Sequence, residues 1–107
     1  MKRIEPYLSH IKEAIRTIQE YVKDIDFDQF SQDRKTQDAV IRQLEIIGEA
    51  STKITDDFIK ANPKIPWREI KDFRNKLIHD YWEVDLELIW NVVLQDIPML
   101  EKLLLYG

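Results

Sequence analysis

The run Leu8-Ser9-His10-Ile11-Lys12-Glu13-Ala14-Ile15-Arg16-Thr17-Ile18-Gln19-Glu20-Tyr21-Val22 decides the architecture. Counting from Ile4, its aliphatic residues fall at Leu8, Ile11, Ile15, Ile18 and Val22, in alternating steps of four and three. A helix brings such positions onto one side, whereas a strand scatters them over both faces. The stripe predicts an amphipathic helix ending near Lys23, which must bury its apolar side against other helices.

Working outward, Asp24 to Phe30 alternates acids with Ile25, Phe27 and Phe30 and reads as a connection pinned to the core by its aromatics. Ser31 offers an N-cap, with Asp33 in the first turn, for a second helix reaching about Thr55. Val40, Leu44, Ile47 and Ile54 line one of its stripes, while Ile46 and Ala50 add a second. A helix with two apolar strips is either central or at a dimer interface. Gly48, the one internal glycine, lies inside it at a cost of about 1 kcal/mol relative to Ala, and close approach of another backbone is the expected compensation.

Thr55-Asp56-Asp57 begins a short helical turn that Asn62-Pro63 ends, and Pro66 suits the start of a third helix from Trp67 to about Ile78. Asp85 is an N-cap for a fourth, whose Leu86, Ile89, Trp90, Val93, Leu94 and Ile97 face the core until Pro98 bends or breaks it. The tail from Met99 to Tyr106 is apolar enough to dock back. No strand candidate remains, so the expectation is an all-α, antiparallel four-to-five helix bundle forming one domain over residues 1–107.

Composition narrows the chemistry. Hydrophobic residues make up 44% and charged residues 34%, with 2 Gly and 4 Pro, which excludes a disordered or collagen-like chain. With no Cys there is no disulfide framework, zinc–thiolate site or cysteine nucleophile. No apolar run approaches the ~18 residues that span a bilayer. The start, Met1-Lys2-Arg3-Ile4-Glu5-Pro6, has no signal-peptide core, so a cytoplasmic protein is expected. Net charge is −4, against indiscriminate attraction to nucleic acid. Yet Lys64, Arg68, Lys71, Arg74 and Lys76 face only Glu69 and Asp72 in their stretch, a basic island on an acidic body.

That island is the third helix. At 100° per residue from Arg68, Phe73, Leu77, Ile70, Trp67 and Ile78 span roughly 140° to 280°, the face to be buried. Arg74 lands at about 240°, inside it, while Lys71, Asn75, Arg68, Asp72 and His79 gather opposite. A guanidinium in an apolar arc needs an anion, either a carboxylate such as Glu49 or a phosphate, for which its planar fork is well suited. His79 closes the helix among Arg74, Asn75, Lys76, Asp80, Tyr81 and Trp82, where polar, aromatic and titratable groups converge. His10 has no such company and reads as a surface residue.

The run Arg74-Asn75-Lys76-Leu77-Ile78-His79-Asp80-Tyr81 resembles the HEPN superfamily signature: an Arg, an adjacent polar residue and a His after four intervening residues. The Tyr two places on narrows the resemblance to the HepT-like toxins of HEPN/MNT toxin–antitoxin systems. Leu44-Glu45-Ile46-Ile47-Gly48-Glu49-Ala50 and Ile65-Pro66-Trp67-Arg68-Glu69-Ile70 agree with that subfamily, so the likeness covers nearly the whole chain. Asp72-Phe73 departs from it, since small or apolar residues such as Gly-Met are expected before the Arg.

The resemblance implies a homodimeric, HEPN-like, metal-independent endoribonuclease without cofactor, the toxin of a type II/VII-like system acting on tRNA or mRNA. Its implied partner is a minimal MNT-type nucleotidyltransferase antitoxin, bearing a Gly-Ser and paired-Asp motif, that AMPylates Tyr81. Catalysis falls to Arg74 and His79, with Asn75, Tyr81 and Glu49 in support and Arg68, Lys71 and Lys76 on the RNA. The chemistry is consistent with this. Metal-free RNA cleavage needs a base for the ribose 2′-OH, an acid for the leaving 5′-oxygen and positive charge on the phosphorane. A histidine can be either base or acid near neutrality but not readily both at once, so a two-fold dimer pairing two His79 side chains would complete the set. Arg74 and His79 differ by about 140° on one ideal helix, so either the helix ends before His79 or a second subunit contributes. Two other classes stay open: a non-cleaving HEPN-type docking subunit for a nucleotidyltransferase, and a structural dimer in which Arg74 merely pairs with Glu49.

Overall fold

The computed structural model describes residues 5–79 and 85–106. In chain order it contains α1 (Glu5–Tyr21), α2 (Phe27–Gln32), α3 (Arg34–Ser51), α4 (Asp56–Ala61), α5 (Trp67–His79), α6 (Leu86–Asn91), a π-helical turn (Val92–Asp96) and α7 (Ile97–Tyr106). Among the described residues there is no strand. Because α6, the π turn and α7 run on without a gap, four long rods make the bundle and α2 and α4 are short connectors. The all-α expectation is met.

The opening stripe becomes the middle of the core. Ile11, Ala14, Ile15 and Ile18 are buried, with Leu8 and Val22 packed at its ends. Each such side chain contributes on the order of 1.5–3 kcal/mol by leaving water. Helix α3 is central: it packs α1 on one flank and α5 on the other, which explains its two apolar strips. Val40, Ile41, Leu44, Ile47 and Ala50 are buried within it. The buried Ser51 hydroxyl donates to the Ile47 carbonyl at 2.7 Å, and the Gln37 amide donates to the Phe30 carbonyl at 2.9 Å, so neither polar group is stranded.

Local chemistry shifted several boundaries. The segment read as a connection contains α2, started by a reciprocal cap: the Asp26 carboxylate accepts from the Gln29 N–H, and the Gln29 side chain accepts from the Asp26 N–H, each at 2.9 Å. Its aromatics do pin it, with Phe30 fully buried and its ring centroid 5.0 Å from that of Trp90. Ser31 therefore does not cap α3; its hydroxyl donates to the Asp28 carbonyl within α2. Asp33 is the cap, accepting from the Thr36 N–H at 3.1 Å and the Thr36 hydroxyl at 2.6 Å. Helix α3 stops at Ser51 rather than Thr55, because the Thr52 hydroxyl turns back onto the Glu49 carbonyl and Thr55 is needed as the N-cap of α4.

Pro98 does not break the last rod. An α turn there would leave a carbonyl without the N–H that Pro lacks. Instead the Ile97 N–H bonds to the Val92 carbonyl five residues back, and the helix widens by one residue just before the proline. The tail docks as expected: Leu100 is buried, Leu103 and Leu104 pack against the core, and the Gln19 amide reaches Glu101 at 3.4 Å, tying α7 to α1.

Candidate active site

Helix α5 is launched from Pro66, whose carbonyl accepts the Ile70 N–H at 3.0 Å, and it is helical through His79. Trp67 and Leu77 are buried and Ile70 and Phe73 half-buried, as the wheel requires. Ile78, expected in the buried arc, is 43% exposed. It sits at the rim of that arc and faces a cleft rather than a neighbouring helix.

Arg74 lies inside the arc, with its side chain 26% exposed. Gly48 makes the space: a Cβ there would lie 2.2 Å from Arg74 Cβ and 2.4 Å from Arg74 Cγ, far inside contact distance. The only internal glycine is thus the point where α3 and α5 close on each other. One Arg74 terminal nitrogen donates to the Glu49 carboxylate, and the other donates to Asn75 Oδ1 at 3.1 Å. The Nε is buried and has no partner. The fork is therefore held in place by α3 while its buried Nε–H donor stays unused.

Asn75, expected in a supporting role, places its carboxamide oxygen on Arg74. His79 is exposed in the last turn of α5. Since the helix includes His79, Arg74 and His79 stay about 140° apart around its axis. Of the basic residues assigned to RNA, Arg68 and Lys76 are exposed and Lys71 half-exposed. Arg68 Nε lies 4.0 Å from the Asp72 carboxylate, with both side chains largely in solvent. Tyr81 lies outside the described residues.

One feature escaped the sequence reading. A cleft of about 340 Å³ opens between α1, α3 and the end of α5. Tyr7, His10, Arg42, Glu45, Glu49 and Lys53 supply its polar lining. His10 is exposed, as expected, but it does have company: its ring meets Tyr7 edge-on at 6.3 Å, beside the carboxylate that holds Arg74. The signal available was a Tyr and a His three residues apart on α1, at the edge of its apolar stripe, where helical spacing stacks them.

The comparisons with known proteins agree with one another. A family model described as "Ribonuclease HepT-like" matches residues 11–106. A Thermococcus cleftensis protein described as "Probable ribonuclease HepT" is 52% identical over 102 residues, covering 94% of this chain and 93% of the relative. One from Caldanaerobacter subterraneus subsp. tengcongensis, described as a "Putative RNase", is 43% identical over 102 residues, covering 95% of this chain and 91% of its own. Another so described, from Methanocaldococcus jannaschii, is 41% identical over 97 residues, covering 91% of this chain and 80% of its own. No solved structure matches the chain. With a guanidinium seated against α3 and an exposed imidazole closing the same helix, this chain belongs to the ribonuclease HepT-like family of the HEPN superfamily.

Proposed function

We propose that the protein is the toxin of a toxin–antitoxin pair, a metal-independent endoribonuclease whose site forms where two copies meet. The observation that carries this reading is the unbroken α5: it fixes Arg74 in the α3 groove and presents His79 to solvent around the helix. One copy cannot aim both at a single phosphate, so the second copy supplies the missing group. The Arg74 fork exchanges the Glu49 carboxylate for a phosphate, which offers the same paired acceptors with more charge. One His79 takes the proton of the ribose 2′-OH as that oxygen attacks phosphorus. The P–O5′ bond breaks, and the His79 of the second copy protonates the leaving 5′-oxygen. The products are a 2′,3′-cyclic phosphate and a 5′-hydroxyl end. Asn75 steadies the fork, and Arg68, Lys71 and Lys76 follow the backbone of the strand. A cognate minimal nucleotidyltransferase silences the site by attaching AMP to Tyr81, which sets a phosphodiester anion where RNA must bind.

The test is RNA cleavage by purified His79→Ala, alone and titrated into wild type. We expect the variant to lose at least ~100-fold in rate, the scale of general acid–base catalysis, while remaining dimeric by light scattering. At constant total protein, mixed dimers hold one imidazole, so cleavage should fall with the square of the wild-type fraction. Linear dilution would place the whole site in one chain; undiminished cleavage by the variant would remove His79 from the chemistry. No cleavage by wild type in any amount would leave a nucleotidyltransferase-docking subunit.

A further inference from the structure

We propose that the cleft between α1 and α3 is a nucleotide subsite, holding the base and ribose next to the scissile phosphate of a single-stranded RNA; this rests on the ribonuclease reading above. Its volume of about 340 Å³ falls within the range of small-ligand sites. The lining has three parts that match the three parts of a nucleotide. Ile46, Ala50 and Ile78 give an apolar floor, beside which the edge-to-face pair of Tyr7 and His10 offers rings for a base to stack on. The carboxylate of Glu45 can accept from exocyclic amino groups, and Arg42 and Lys53 carry positive charge to a flanking phosphate. Arg42 lies only 3.9 Å from Glu45, with its side chain 70% exposed, so it is free to swing to a phosphate at little cost.

The position of the cleft is as telling as its lining. Glu49 both lines it and holds Arg74, and Ile78 stands one turn beyond Arg74, about 40° away around α5. A phosphodiester on the Arg74 fork therefore has its neighbouring sugar and base at the mouth of this cleft. Two other hollows do not suit the same ligand. The groove between α3, α5 and α7 is lined by Leu44, Phe73, Leu100 and Leu103, with only Glu69 and Asp96 charged, which repels phosphate. The depression along α1 has Lys12 and Arg16 but no ring.

The experiment titrates ribonucleoside 3′-monophosphates, and separately a short single-stranded RNA blocked with 2′-O-methyl groups, into the isotope-labelled full chain. Amide shifts are read by NMR. We expect the residues Tyr7, His10, Ile46 and Ala50 to move with either probe, and the RNA to displace the mononucleotide. Tyr7→Ala, which removes a stacking ring, and Ile78→Trp, which fills the cleft from its exposed rim, should each weaken both probes by about tenfold. In cleavage assays the loss should be carried by KM. Shifts absent from α1 and α3, or both variants binding as wild type does, would overturn the subsite. A mononucleotide that stays bound in excess RNA would give the cleft to a free nucleotide and overturn it as well. If His79→Ala still cuts RNA while the cleft shifts persist, the subsite stands and the catalytic reading falls.

Discussion

Gly48 and Arg74 illustrate how one missing atom can position a functional group. Alanine at 48 would improve helix propensity by about 1 kcal/mol, but its Cβ would overlap Arg74 Cβ and Cγ, and overpacking of that kind costs about 1–3 kcal/mol. The steric term wins because the atoms struck belong to the root of the Arg74 side chain, with its Cα only 3.4 Å away, so the helices themselves must part. We expect Gly48→Ala to lower stability by about 1–2 kcal/mol in denaturant unfolding and to slow RNA cleavage more than Tm alone explains. The Glu49 carboxylate that meets Arg74 is 59% exposed, so their ion pair is screened and worth at most about 1 kcal/mol. Glu49→Gln should therefore leave Tm nearly unchanged and tighten RNA binding a few-fold at low salt, because the phosphate no longer competes with a carboxylate. A large stability loss with no change in RNA affinity would favour a purely structural Arg74.

At the scale of the elements, the caps decide where helices begin. The Asp33 carboxyl is held below the usual aspartate value of 3.8, first by the Thr36 hydroxyl and then by the Thr36 N–H, both of which favour the charged form. A carboxyl whose folded pKa is depressed stabilises the fold above its unfolded pKa and loses that contribution as pH falls through the folded value. The support that Asp33 lends to α3 is thus complete near neutrality and fades only below about pH 4. Asp33→Asn keeps an acceptor but removes the charge. We expect it to lower Tm by a few degrees at pH 7 and by almost nothing at pH 2, as followed by circular dichroism. An equal deficit at both pH values would mean that the charge plays no part.

For the whole molecule, the proposed regulation is a property of assembly. Co-expression with a minimal nucleotidyltransferase of the proposed antitoxin kind should add one or more AMP units to the intact mass, and Tyr81→Phe should abolish the addition. An unchanged wild-type mass would leave inhibition to binding alone. No helix among the described residues is long and apolar enough to cross a membrane.

Helical periodicity is a local property, and so the sequence alone determined the all-α class, the core stripe of α1, the two apolar strips of α3, the span of α5 and the Asp85 cap. It also determined that Arg74 would lie on an apolar face, which follows from counting residues around one helix, and the propensity cost of a mid-helix glycine called for a close backbone approach at Gly48. Capping competition was harder to see, because Asp26, Ser31 and Asp33 are all good N-caps and their hydrogen bonds decide among them. What only the tertiary structure decided lies between elements. Which acceptor takes the Arg74 fork, how α1 brings His10 and Tyr7 beside Glu49, and why Ile78 faces a cleft all depend on the relative placement of α1, α3 and α5. No repeat along one chain segment encodes that placement; it emerges only when the apolar faces pack together.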